Sequence, residues 1–502
     1  MNLTKKLFSY IVAIAMIFTL TAFAGGAVNA ADTTYKLTLN GTTKGHTYEA
    51  YQVFTGDLST NTDGDKVLSN VQWGKGVTYK QVTGENKSAA DVAKALGDGT
   101  MTTAQLINQL TLTTPVKTVN SSTDSTSTVI DKLAAGYYLV KDKDGTQANT
   151  SDAYTKFIVK VVGDSEANVK SGVPTVEKKV KDTNDSIGET STSGWQDSAD
   201  YDIGDDVPYQ ITGTMPDRID DYTTYKYIFT DTMSKGLTYT ANNAKIKIGD
   251  TDVTGSFTEL VTPQNDGSTV VTWTCNNLKG IDGVTVNKDT TVVVTYKATL
   301  NKKAVIGSAG NPNTVNLTYS NNPNKGGEGE TGKTPDDKNI VFTYKAVVNK
   351  VDQGKKSLAG AGFTLQKKVN GAYTDVKSFT AGEATKFEFT GLDDGDYKLI
   401  ESTTPEGYNT ITPIEFTISA THDETADEPT LISLTTKVTT GVAAFTADKA
   451  AGSLTTDVVN KKGSTLPETG GMGTTLLYAV GGVLVALAAA YIIISKKHEK
   501  AE

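Results

Sequence analysis

Three polar residues between positions 338 and 463 fall on strand faces that are otherwise apolar. Phe342, Tyr344, Ala346, Val348 and Lys350 alternate with Thr343, Lys345, Val347 and Asn349, so Lys350 takes the inward side. Tyr397, Leu399 and Glu401 share a face in the same way, as do Leu454, Val458 and Asn460. Singly, these read as a snorkelling edge lysine, a capped carboxylate and a turn asparagine. Together in one core they point to chemistry. An ammonium stripped of water gives up its proton more readily, and the neutral amine is a nucleophile. A neutral carboxylic acid can hydrogen-bond the asparagine amide oxygen, steady the charge that builds there and pass a proton to departing ammonia. The expected product is a Lys350–Asn460 amide made with Glu401 as the acid. It forms once per molecule, so it is autocatalysis during folding and not enzymatic turnover.

Residues 173–337 repeat the pattern. Pro174, Val176, Lys178 and Val180 alternate with Thr175, Glu177, Lys179 and Lys181, which puts Lys178 on the apolar side. Asn313, Val315, Leu317 and Tyr319 form the matching face of what reads as the last strand of that block. Two acids point inward: Asp231, after Tyr225, Tyr227 and Phe229, and Glu259, between Phe257 and Val261. Periodicity alone leaves the choice open. Residues 31–172 show no inward lysine matched to an inward terminal asparagine, so no cross-link is expected there.

The runs Leu358-Ala359-Gly360-Ala361-Gly362-Phe363, Gly391-Leu392 and Tyr397-Lys398-Leu399-Ile400-Glu401, leading to Pro405-Glu406-Gly407-Tyr408, carry a resemblance. They are similar to the B-type repeat of collagen adhesins and the last domain of sortase-assembled pilins of Gram-positive bacteria. The third run resembles the E-box of that family, whose glutamate falls on Glu401. The segment Phe229 to Leu237 resembles the strand and turn that carry the acid in the middle domain of backbone pilins, which favours Asp231 over Glu259.

Both ends read as addresses. Lys5 and Lys6 precede an apolar run from Leu7 to Ala24, and Val28-Asn29-Ala30 offers small residues for cleavage, so residues 1–30 are expected to be a signal peptide. Leu466-Pro467-Glu468-Thr469-Gly470 precedes an uncharged stretch from Thr474 to Ile494, followed by Lys496, Lys497, His498 and Lys500. That stretch is expected to span the membrane, with the basic tail on the cytoplasmic side. Pentapeptide, span and basic stop together (464–502) resemble the LPXTG sorting signal of wall-anchored surface proteins.

The resemblance implies that a pilin-class sortase cuts after Thr469 and passes the Thr carbonyl to an amine. A housekeeping sortase would join the finished polymer to peptidoglycan. The receiving amine in backbone pilins lies in a Tyr-Pro-Lys-Asn motif just before the strand bearing the middle-domain lysine. Lys170 falls at that place here, flanked by Asn168, Val169 and Ser171.

The elements that must position these groups are mostly strands. The chain has 502 residues with 47 Gly and 12 Pro, and many short Thr-, Val- and Tyr-rich runs, a bias toward strands and turns. We expect an all-β architecture of tandem immunoglobulin-like sandwiches divided as 31–172, 173–337 and 338–463. The first is mixed, with helices at Ser88 to Leu96 and Thr102 to Leu110. Its strands are expected around Tyr35, Leu37 and Leu39, and at Gly136 to Lys141 and Phe157 to Val162. A net charge of −9 argues against nucleic acid as a partner. One cysteine, Cys275, excludes an intrachain disulfide, and three scattered histidines argue against metal or histidine-based catalysis. No metal or cofactor is expected. The resulting expectation is a structural protein of the cell wall: the shaft subunit of a pilus, a covalent homopolymer supporting adhesion and joined by accessory pilins, with host surface ligands as further partners. The alternative is a monomeric wall-anchored adhesin or a tip or base pilin.

Overall fold

The computed structural model describes residues 33–60, 65–81, 87–122, 126–146, 153–169, 172–327, 329–463 and 472–498. The expected signal peptide, Lys170 and Leu466 to Gly470 lie outside these.

The first block is built as its sequence pattern dictates. Leu37 and Leu39 alternate inward along Thr34–Asn40, which pairs antiparallel with Ser127–Ala134 and parallel with Ser165–Asn168. A second sheet has Thr47–Thr60 at its centre, next to Gly136–Asp142, which in turn pairs with Lys156–Val161. Two helices pack against one face of this second sheet. Helix α1 (Ala89–Gly97) starts at Ser88, whose hydroxyl accepts from the Asp91 backbone while the Asp91 carboxylate returns a bond to the Ser88 backbone. Helix α2 (Thr103–Gln109) uses Thr102 and Gln105 in the same way.

The middle block is a sandwich of a six-stranded and a seven-stranded sheet. In one, the strand Val176–Val180 pairs antiparallel with Asp206–Thr214, which pairs with Thr291–Leu300. In the other, Asn311–Ser320 and Thr269–Cys275 flank Tyr227–Met233. The core between them is rich in aromatics: Tyr209, Tyr225, Tyr227, Phe229, Trp273, Tyr296 and Tyr319. Cys275 is a free buried thiol opposite Tyr227.

Asp337–Phe342 corrects two expectations about this block. It pairs antiparallel with Asn311–Ser320 and parallel with Ser198–Asp200, so the middle sheet runs past position 337 and Asn313 is not on its last strand. The alternation of residues 337–352 crosses the boundary almost unbroken, with Thr343 alone separating two strands. Periodicity therefore could not mark where one sheet ends.

The third block packs a four-stranded sheet against a five-stranded one. Its first strand, Tyr344–Asp352, lies beside its last, Ser453–Asn460, and the two run parallel. The blocks touch closely: the carbonyl of Gly391, a residue with φ of +79°, accepts from the Ile203 backbone N–H, and a Cβ there would sit 2.5 Å from the Ile203 side chain.

Helix α3 (Met472–His498) follows the wall-signal region, and its side chains are described and exposed from Leu477 to Ile493. Among the described residues no helix is long and apolar enough to cross a membrane. The span expected from Thr474 to Ile494 extends past those side chains at both ends.

Candidate functional sites in the two sandwich cores

In the middle block Lys178, Asp231 and Asn313 are all wholly buried. Lys178 enters from the strand Val176–Val180, while Asp231 and Asn313 come from neighbouring strands of the opposite sheet. Their alternation with Tyr227, Phe229, Val315 and Leu317 forces all three into the space between the sheets. Lys178 Nζ is 2.7 Å from Asp231 Oδ1 and donates to the Tyr296 hydroxyl at 2.6 Å. Tyr296 donates to Asp231 Oδ2 at 2.5 Å and accepts from Asn313 Nδ2 at 2.8 Å. One hydroxyl thus touches amine, acid and amide. The ammonium also lies 5.0 Å and 5.1 Å from the ring centres of Tyr209 and Tyr296.

Burial pushes the Lys178 amine below its ordinary value, against the pull of Asp231. The pair is close enough that moving one proton from Nζ to Asp231 yields a neutral amine and a neutral acid. Burial, followed by the charge of Asp231, holds the Tyr296 phenol well above its usual value, so it stays a neutral relay. Asn313 Oδ1, the atom on which charge would build, has no hydrogen-bond partner.

Tyr296 was not legible in the sequence. It alternates inward with Val292, Val294 and Ala298 on Thr291–Leu300, like any core aromatic. Its one signal, a hydroxyl that needs a buried partner, acquires meaning only once the facing sheet is known.

Glu259 is placed elsewhere. It accepts from the Tyr239 hydroxyl, the Trp273 indole and the Asn242 backbone, at 2.7, 2.9 and 2.8 Å. Those three donors occupy its oxygens on an outer strand, and the structure brings Asp231 to Lys178 instead.

In the third block Lys350 and Asn460 are wholly buried and Glu401 nearly so. Lys350 is paired in register with Val458, and Asp352 with Asn460, so Lys350 and Asn460 stand two positions apart on adjacent parallel strands. Lys350 Nζ donates to the carbonyls of Val351 and Val458 at 3.1 and 3.0 Å. Burial lowers its amine to about 8, with Glu401 the largest opposing influence. Asn460 Nδ2 donates to Glu401 Oε2 at 3.0 Å and to the Asn409 carbonyl. Glu401 Oε2 also accepts from the Ile411 backbone at 3.1 Å, while Glu401 Oε1 and Asn460 Oδ1 have no partner.

The two sites differ in what they can join. An amide at Lys178 and Asn313 would tie one sheet to the other. An amide at Lys350 and Asn460 would tie two neighbouring strands of one sheet.

Three family models match parts of the chain. Residues 203–323 match the family described as Gram-positive pilin backbone subunit 2, Cna-B-like domain, residues 345–429 a prealbumin-like fold domain, and residues 458–501 the LPXTG cell wall anchor motif. The trypsin-resistant surface T6 protein of Streptococcus pyogenes serotype M6 is 26% identical over 401 residues, 65% of this chain and 70% of that protein. The solved T6 backbone pilin of that serotype has a TM-score of 0.52 at 19% identity, covering 86% of this chain and 99% of its own. The full-length major pilin SpaD of Corynebacterium diphtheriae gives 0.44 at 20% identity, covering 86% and 98%. The T6 likeness is one of fold.

Proposed function

Because the chain is homologous to the backbone pilins of Gram-positive bacteria and carries a cell wall anchor motif, we propose that it is the shaft subunit of a sortase-assembled pilus whose middle and C-terminal domains each close an internal Lys–Asn amide. The observation that carries the reading is the single buried hydroxyl of Tyr296, which contacts the amine, the acid and the amide of the middle domain at once.

The chemistry proceeds from these contacts. With its proton passed to Asp231, Lys178 Nζ holds a free lone pair and attacks Cγ of Asn313. A half-turn of the Asn313 amide brings Oδ1 to the Tyr296 hydroxyl, which donates to the charge gathering there while the protonated Asp231 donates to the phenol oxygen. The C–N bond to the amide nitrogen breaks, that nitrogen takes the proton, and ammonia leaves. Nζ passes a second proton to the Asp231 carboxylate, which has given its own to the ammonia, and keeps one hydrogen, so the new bond is a secondary amide. In the C-terminal domain a half-turn of the Asn460 amide brings Oδ1 to Glu401, whose protonated form donates to it while Lys350 attacks. Exclusion of water eases the loss of each amine's proton and keeps each intermediate from hydrolysis.

The chain is a sortase substrate and part of a pilus polymer on the cell wall. A pilin-class sortase cleaving after Thr469 and a transfer to Lys170 of the next subunit complete the proposed assembly, followed by a housekeeping sortase, peptidoglycan attachment and accessory pilins. Tension then passes through each inter-subunit amide into strands that are themselves covalently tied. Tryptic mass spectrometry of native filaments tests the whole: linked peptides joining Lys178 to Asn313, Lys350 to Asn460 and Lys170 to Thr469 are expected. Unmodified peptides at these positions would refute the corresponding link.

A further inference from the structure

A second phenol stands beside Tyr296 in the middle-domain core. Tyr209 lies on Asp206–Thr214, paired in register with Tyr296 on one side and with Val180 on the other, so its side chain leaves the same face of the sheet as those of Tyr296 and Lys178. Its ring is stacked on that of Tyr296, with centres 5.2 Å apart and planes 18° from parallel. Two rings stacked on paired positions carry their hydroxyls to the same part of the core. Tyr209 is wholly buried, and its hydroxyl completes no hydrogen bond of normal geometry. The side-chain amide of Asn313 is the hydrogen-bonding group that acts on this phenol. Asn313 Nδ2 is already given to Tyr296, and Asn313 Oδ1 is without a partner.

A buried polar atom left unpaired costs stability. Tyr209 and Asn313 carry one each, of opposite kind: a hydroxyl proton with no acceptor and an amide oxygen with no donor. A phenylalanine at position 209 would avoid that cost, stack on Tyr296 equally well and keep a ring face toward the Lys178 amine, which lies 5.0 Å from the ring centre. The hydroxyl thus adds nothing to the resting core beyond what the ring supplies. Its use falls in the reaction. When the Asn313 amide makes its half-turn, Oδ1 takes the place of Nδ2 at the phenols. Tyr296 must first withdraw its proton from Asp231 to meet it. Tyr209 has no such acceptor to leave, so its donor is ready before the charge appears.

We propose that the Tyr209 hydroxyl is a second oxyanion donor, which completes with Tyr296 a two-phenol site for Asn313 Oδ1 in the middle-domain cross-link. The inference rests on the Lys178–Asn313 amide proposed above. As Nζ adds to Cγ, the carbonyl electron pair moves onto Oδ1 and both phenols donate to it. When the C–N bond to the departing nitrogen breaks, the pair returns to the carbonyl and the hydrogen bonds relax. Tyr209 keeps its proton throughout, because burial, followed by the charge of Asp231, holds the phenol well above its ordinary value. A donor fixed in a sealed apolar core needs no reorganisation at the moment the charge develops.

The test uses the mature chain isolated unfolded from inclusion bodies, before either bond can form. It is refolded by dilution, quenched in acid at intervals and weighed, with peptide mapping to assign each lost ammonia. Tyr209→Phe should close the middle-domain bond about 10²-fold more slowly, the lower end of what one oxyanion donor contributes, while the C-terminal bond forms at the parent's rate. A slowing of less than about 10-fold overturns the proposal. Tyr225→Phe removes another unpartnered hydroxyl of the same core and should close as the parent does. An equal slowing there would make the effect one of packing and overturn the proposal too. Should Tyr209→Phe fail to fold, 3-fluorotyrosine at position 209 replaces it, a stronger donor of nearly the same size. Closure faster than the parent's then supports the role, and an unchanged or slower rate defeats it. The parent separates this inference from the reading beneath it. A parent that never loses the middle-domain ammonia removes the cross-link itself, whereas a parent that closes no faster than Tyr209→Phe removes Tyr209 alone.

Discussion

Lys178 and Asn313 enter the middle-domain core from opposite sheets and donate to the same oxygen, the hydroxyl of Tyr296, at 2.6 and 2.8 Å. The residues that are to be joined are therefore held by one neutral side chain, which also reaches the acid. The C-terminal domain has no such intermediary: Lys350 and Asn460 stand diagonally on neighbouring parallel strands, and backbone carbonyls hold the amine.

Tyr296→Phe should leave the middle domain folded and slow its cross-link. The hydroxyl's bond to the charge gathering on Asn313 Oδ1 contributes about 1.5–3 kcal/mol, so closure should slow by on the order of 10- to 100-fold. The C-terminal bond should form at its usual rate. Intact mass followed over time after refolding reads both, and a middle-domain rate equal to the parent's would remove Tyr296 from the mechanism.

Asp231→Asn and Glu401→Gln should each abolish one bond and spare the other. The parent mature chain should weigh two ammonia molecules less than its sequence, each single variant one less, and the double variant none. Each missing bond should lower stability by an amount comparable to a lost disulfide, about 2–4 kcal/mol. Glu259→Gln should retain both bonds, because the donors around Glu259 lie away from Lys178. A variant of Asp231 that still loses both ammonias contradicts its role.

A pH dependence follows from Lys350. Burial brings its amine from 10.5 to about 8 in the folded domain. Between those values the unfolded chain holds more protons, so stability rises with pH across that window, while below about 8 the cost of the buried ammonium is fully present. Asn460→Ala, which cannot close the bond, should therefore melt at a higher temperature near pH 9.5 than near pH 7.5. In the parent, closure should accelerate up to about pH 8 and level off above it. A melting temperature in Asn460→Ala that stays flat or falls over that interval would show that the buried amine is not the titrating group.

Lys170→Ala should yield secreted, wall-attached monomer without the high-mass ladder of polymers. Both internal bonds should be intact in it, since Lys170 belongs to neither core. A ladder that persists assigns polymerisation to another lysine, with Lys160, Lys179 and Lys181 the nearest in sequence outside the core.

Much of this protein was readable one strand at a time. Lys178, Lys350, Glu401, Asn313 and Asn460 betrayed themselves as polar residues in phase with apolar neighbours, because a strand's side chains alternate strictly and a residue two positions from a buried one is carried to the same side. Ser88 and Thr102 start their helices by capping chemistry that acts over three residues. Such signals are local, and local signals survive in a linear chain.

What the sequence could not decide depended on which strands face one another. Asp231 and Glu259 have equivalent alternation, and only the packing of one sheet on the other brings Asp231 to Lys178 while Trp273 and Tyr239 claim Glu259. Tyr296 looked like core filler until its hydroxyl met three partners from elsewhere in the chain, and Asp337–Phe342 looked like the start of a new domain until it paired with Asn311–Ser320. Periodicity fixes a residue's side of its strand, whereas its partner is fixed by long-range contacts whose loop-closure cost leaves no trace in composition or spacing.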